Sequence, residues 1–238
     1  MSSEWNLILV LLFAGLAFTI SASAGLGGSL ILVPALSLLL GVKEGVAVSA
    51  LLLACNNVVK LIAYRHTVPV KASLGVLVLT VLGTALGARL LVIAPERLVQ
   101  IAVIISLSSG FLLEQVKFNS LSQLSAGFAA FFAGATSGFS GTSGPLKGLA
   151  LRRLPLDRLH FVGAASAVSF AGDLMKTTIF AEASLLDEIS WLVILITIPL
   201  MLLGTLAGRH LNSQIGERAF AALFWAVMAG YTVRLIFS

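Results

Sequence analysis

Charge is scarce in this chain. Of its 238 residues 11% are charged and 58% hydrophobic, whereas an ordinary soluble domain carries about 25% charged residues. Too little charge remains to cover a water-facing surface, so lipid is the expected solvent. A mean hydropathy of +1.06 agrees. Cysteine is rarer still. The single Cys55 excludes an intramolecular disulfide framework and a multi-cysteine metal site. His66, His160 and His210 are the three histidines. All fall in or beside loops, so no metal site is expected. The first apolar run lacks a basic flank, with Glu4 as its only nearby charge, so no cleavable signal is read. A G-x-x-x-x-G-K-[ST] loop is missing, which argues against an ATP-driven pump within this chain. The net charge of +5 is small, and nothing points to nucleic acid or to a cofactor.

What the chain does have is long apolar runs, five in each half. They lie at about 5–23, 29–41, 46–64, 72–93 and 98–113, then 121–137, 145–151, 160–181, 189–208 and 218–237. A helical crossing needs about 20 residues. The second run of each half is too short. Each short run therefore pairs with the one before it as a hairpin that turns inside the membrane. Such backbone is tolerated only where protein or a water-filled cavity covers it.

Loop charges set the topology. Loops 65–71, 152–160 and 209–218 are predominantly basic, and loop 182–188 carries Glu182, Asp187 and Glu188 with no base. The positive-inside rule puts the three basic loops in the cytoplasm. A hairpin plus three crossings per half then inverts the second half against the first, with both termini outside. The expected fold is an all-α polytopic membrane protein of two inverted-topology repeats. These are residues 1–118 and 119–238, joined in one transmembrane domain.

Three sequence matches support the duplication. A glycine-rich break SAGLGGS at 23–29 corresponds to SGFSGTSG at 137–144, with glycines about 113 positions apart. Asn57-Val58-Val59-Lys60 corresponds to Asp173-Leu174-Met175-Lys176. Gly83-Thr84-Ala85-Leu86-Gly87 corresponds to Gly204-Thr205-Leu206-Ala207-Gly208. Arg89 and Arg209 follow these last elements and read as interfacial anchors.

The breaks point to anion binding. A helix N-terminus offers unpaired N–H groups and partial positive charge. Ser29 is placed to cap the helix after the first break, and Ser143 the helix starting near Pro145. The candidate substrate site comprises Gly25, Gly27, Gly28, Ser29, Gly138, Ser140, Gly141, Thr142, Ser143 and Gly144. A side chain at Gly27 or Gly141 is expected to block the ligand's approach. The competing account is that these small residues only let helices pack closely. Asn57, Lys60, Asp173 and Lys176 form a second set, for charge or coupling, because charge inside apolar segments is costly. Asp173 and Lys176 can pair on one helix face. Lys60 is open to function or to snorkelling toward the cytoplasmic interface.

At these residues the chain resembles the sulfite exporter TauE/SafE family of anion permeases. The resemblance rests on the first break with the Leu-Ile-Leu-Val-Pro run ending at Pro34, on the second break, and on the G-T-x-x-G elements. It implies a bacterial inner-membrane permease for sulfite, sulfonates such as sulfoacetate, or related sulfur-containing anions. Family breaks are often longer polyglycine runs; here Ser140, Thr142 and Ser143 interrupt the second. The expected function is thus a secondary transporter working by alternating access, not an enzyme. Its partners are a small anion and lipid, with a homodimer left open. An anion channel is the nearer alternative. The motif Gly138-Phe139-Ser140-Gly141 also resembles the G-x-S-G of intramembrane serine proteases, but the histidines lie away from it.

Overall fold

Backbone polar groups in lipid must be satisfied internally, and a helix does this within one segment. A computed structural model of the chain describes residues 3–24, 28–115, 123–142, 144–187, 189 and 191–211. Among these there is no strand. The helices are α1 (Ser3–Ala24), α2 (Gly28–Leu40), α3 (Val42–Ala63), α4 (Val70–Ile93) and α5 (Glu96–Gln115), followed by α6 (Gln123–Ser140), α7 (Gly144–Leu151), α8 (Arg158–Glu182) and α9 (Trp191–Leu211). A short 3-10 turn, Arg65–Thr67, links α3 to α4. The expected run 218–237 and the expected boundary at 118–119 lie outside the described residues.

By length and composition α3 and α4 can each cross a membrane. With 13 and 8 residues, α2 and α7 are only about 20 Å and 12 Å long. Neither can cross about 30 Å of hydrocarbon. Gly41 alone separates α2 from α3, at φ 103°, a left-handed conformation that favours glycine.

α4 is patterned opposite to a soluble helix. Val70, Leu74, Val78, Leu82, Leu86, Leu90 and Ile93 are exposed, whereas Ser73, Thr80, Gly83, Thr84 and Gly87 are buried. Apart from the buried Val76 and Leu91, large apolar side chains face outward and small or polar ones face the protein, which is how helices pack when lipid surrounds them.

That small face meets α6. Gly83 and Gly87 of α4, and Gly134 and Gly138 of α6, form two G-x-x-x-G steps that interlock. A Cβ at Gly83 would strike the Phe131 carbonyl, and one at Gly134 the Thr80 carbonyl. Thr80 Oγ1 also donates across the crossing to the Ala130 carbonyl at 3.2 Å. The second G-T-x-x-G helix, α9, packs instead on α1. Gly204 there faces Phe18 and Thr19, with more room: its nearest neighbour would lie 3.1 Å from a Cβ. α3 and α8 pack together between these two crossed pairs.

Gly138 was expected in the second break. It lies inside α6, because the helix continues to Ser140, and its missing side chain leaves room for the backbone of Thr84 and Ala88. The helices that follow the two breaks start at Gly28 and Gly144, 116 residues apart, the same separation as Asn57 and Asp173.

Candidate functional site

Lipid-facing helices leave little room for charge, yet several ionisable side chains are buried in this bundle. On α3, Asn57 and Lys60 are three residues apart and share a helix face. Asp173 and Lys176 do the same on α8. Packing of α3 on α8 brings the two faces together. Asn57 Nδ2 donates to Asp173 Oδ2 at 2.8 Å, and Lys176 Nζ forms an ion pair with Asp173 Oδ1, also at 2.8 Å.

Both lysines then reach toward a break. Lys60 Nζ donates to Ser21 Oγ at 3.0 Å, and Lys176 Nζ to Ser137 Oγ at 3.1 Å. Each bond spans 39 residues. Ser21 stands one turn before the end of α1, and Ser137 one turn before the end of α6. Lys60 was open to snorkelling; instead it is 1% exposed. Its ammonium is turned inward by Ser21.

A third lysine joins them. Lys147, on α7, is buried and donates to Ser169 Oγ at 3.1 Å. It was not among the residues expected from the sequence, although its signal is the one that flagged Lys60: a charge inside an apolar run. Lys60 is on α3 and Lys147 on α7, and both helices pack on α8, which carries Asp173 and Lys176. The three lysines and the aspartate therefore occupy one buried region.

The residues at the breaks divide by role. Gly28 opens α2, and a Cβ there would sit 2.8 Å from Ser21 Cβ. The start of α2 is thus pressed against the serine that Lys60 reaches. Ser29 falls in the first turn of α2 and is half-buried; since the helix already begins at Gly28, Ser29 is not its N-cap. Ser140 Oγ lies 2.8 Å from Ser106 Oγ and 2.8 Å from the Thr136 carbonyl, tying the end of α6 to α5. Gly141 has φ 77°, and a Cβ there would lie 2.9 Å from Val33 Cγ2. What fills the space beside Gly141 is thus a valine of α2, so close packing accounts for this glycine without a ligand. Thr142 Oγ1 is buried and has no hydrogen-bond partner among the described residues. An unsatisfied buried hydroxyl costs about 1–3 kcal/mol, and a ligand oxygen would relieve that cost. Gly144 opens α7. Gly25, Gly27 and Ser143 lie outside the described residues, and Arg89 is exposed.

Lysine ammonium groups, a free hydroxyl and helix starts are all donors, so the arrangement suits an anion rather than a cation. A model of the sulfite exporter TauE/SafE family matches residues 8–235. No curated protein and no solved structure matches the chain.

Proposed function

The chain belongs to the sulfite exporter TauE/SafE family, and we propose that it is a secondary transporter moving sulfite or an organosulfonate such as sulfoacetate by alternating access. It is a membrane transport protein of the anion-permease class. One observation carries the finer reading: among the described residues three lysines are buried on helices that meet around the single buried carboxylate, next to the helices that lead into and out of both breaks. A desolvated anion needs donors to replace its hydration shell. Lys60, Lys147, Lys176, Thr142 and the first N–H groups of α2 and α7 supply them.

The two-repeat architecture belongs to the same proposal. Equal 39-residue lysine–serine spans support it. So does the exchange of partners, in which α1 packs on α9 and α6 on α4. In this scheme the repeats are inverted and both termini lie outside a bacterial inner membrane. The two crossed helix pairs rock against the α3–α8 centre, exposing the anion to one side and then the other. The protease alternative loses support, since Ser140 is engaged by Ser106 and the Thr136 carbonyl while His160 is held by Asp157.

Reconstitution in liposomes tests the proposal. Sulfite uptake should saturate and should accelerate when unlabelled sulfite is loaded inside. Linear, unsaturated flux without that acceleration would make the protein a channel. Lys60→Met adds a residue-level check. Among the described residues Lys60 has only a neutral hydroxyl partner, so its loss should change thermal stability little while raising the KM for sulfite about tenfold or more. An unchanged KM would remove Lys60 from the site.

A further inference from the structure

A buried ammonium in apolar surroundings needs a counter-charge as well as hydrogen bonds. Lys176 has one, 2.8 Å away on Asp173. Among the described residues Lys60 and Lys147 meet only the hydroxyls of Ser21 and Ser169. Among the described residues Asp173 is the sole buried carboxylate. Two lysines are thus left over once the one internal pair is counted. A ligand with two negative charges would balance both; a monoanion would leave one unmatched.

The second observation is an asymmetry. A shift of 116 residues, the separation of Asn57 and Asp173, pairs Lys176 with Lys60 and Ser137 with Ser21. The same shift pairs Lys147 with Ile31 and Ser169 with Leu53. Ile31 and Leu53 are both buried. The lysine and the serine that holds it are therefore present together in one half and absent together from the other. An apolar pair fills the corresponding place, so neither a hairpin nor its packing requires that charge. Thr142, two residues before α7, adds a buried hydroxyl at the same break that has no partner among the described residues.

We propose that the site binds a small dianion, with Lys60 and Lys147 as its counter-charges, and that Lys147 sets the preference for dianion over monoanion. The inference rests on the transport reading above and narrows it. Sulfite in its divalent form and sulfoacetate fit; singly charged sulfonates and zwitterionic aminosulfonates do not. Selectivity of this kind comes from the mismatch: a monoanion leaves one cation unpaired in a low-dielectric site.

Chlorate isolates charge from shape. It has the three-oxygen pyramid and electron count of sulfite with one negative charge fewer. Competition of chlorate against labelled sulfite uptake is measured in proteoliposomes, at a pH where sulfite is divalent. The purified full-length wild type and Lys147→Ile, which copies the residue at position 31, are compared. The wild type should favour sulfite about tenfold or more. Lys147→Ile should bring that ratio close to one, chiefly by weakening sulfite. Equal affinities in the wild type would overturn the proposal. So would a variant that weakens both anions alike, since that marks Lys147 as a packing residue. Should Lys147→Ile fail to insert, Lys147→Gln and the wild-type ratio still decide. Sulfite that neither binds nor moves in the wild type defeats the transport reading itself. Sulfite that moves without charge discrimination defeats only the dianion inference.

Discussion

Lys176→Met should lower stability by about 3–5 kcal/mol and abolish sulfite transport. Lys176 is 1% exposed and its ammonium is shared between Asp173 and Ser137. Truncation leaves Asp173 as a buried carboxylate whose remaining donor in this network is the Asn57 amide. The expected loss comes from stranding that charge rather than from the net value of the pair. A double variant separates the two effects. Lys176→Met with Asp173→Asn removes both charges and leaves an amide whose oxygen can still accept from Asn57. It should recover most of the lost thermal stability in detergent and none of the transport. A single variant that melts like the wild type would mean that Asp173 is not stranded, and the buried network would be wrong.

Much of the helix plan was legible because length and apolar runs determine it. The runs at 29–41 and 145–151 are too short to cross, and α2 and α7 occupy them almost residue for residue. The pairing of Asn57-x-x-Lys60 with Asp173-x-x-Lys176 was also legible, since charge inside apolar sequence is conspicuous. Its consequence, that the two motifs hydrogen-bond to each other, depends on α3 meeting α8. Periodicity within one segment carries no information about that.

Other features were hidden for specific reasons. Ser21 and Ser137 are ordinary serines in the sequence; only the lysines arriving from 39 residues away distinguish them. Lys147 was obscured by its short run, and its burial is completed by Ser169 on another helix. Gly138 and Gly141 were read as room for a ligand. A glycine reports that a side chain is excluded without reporting what excludes it: at Gly138 it is the backbone of α4, at Gly141 a valine of α2. Ser140, Thr142 and Ser143 already give the second break an asymmetry with the first. Lys147 strengthens it, since a charge discriminates among anions more sharply than a hydroxyl does.

Gly134→Leu should be the most disruptive substitution, preventing recovery of folded protein. At the α4–α6 crossing a Cβ on Gly134 would strike the Thr80 carbonyl and come within 2.8 Å of Thr84 N. Both are backbone atoms, so no rotamer change relieves the contact and the helices must separate. Overpacking a core with side chains that can adjust already costs about 1–3 kcal/mol. Here the Thr80–Ala130 bond and the interlocked glycines are lost as well. The damage also reaches the site. α6 carries Ser137 and leads into the second break, so displacing it shifts the contact with Lys176 and the start of α7 that bears Lys147. Two controls isolate the cause. At Gly75, also on α4, a Cβ would have no neighbour within 4 Å, and at Gly127 on α6 it would meet only the end of Leu79 at 3.3 Å. Leucine at Gly75 should leave both stability and uptake near wild type, and leucine at Gly127 should cost little. The measurements are yield of monodisperse protein, thermal unfolding in detergent and sulfite uptake. If Gly134→Leu is recovered folded and transports normally, α4 and α6 do not cross at these glycines, and the route from the helix crossing to the second break has to be redrawn.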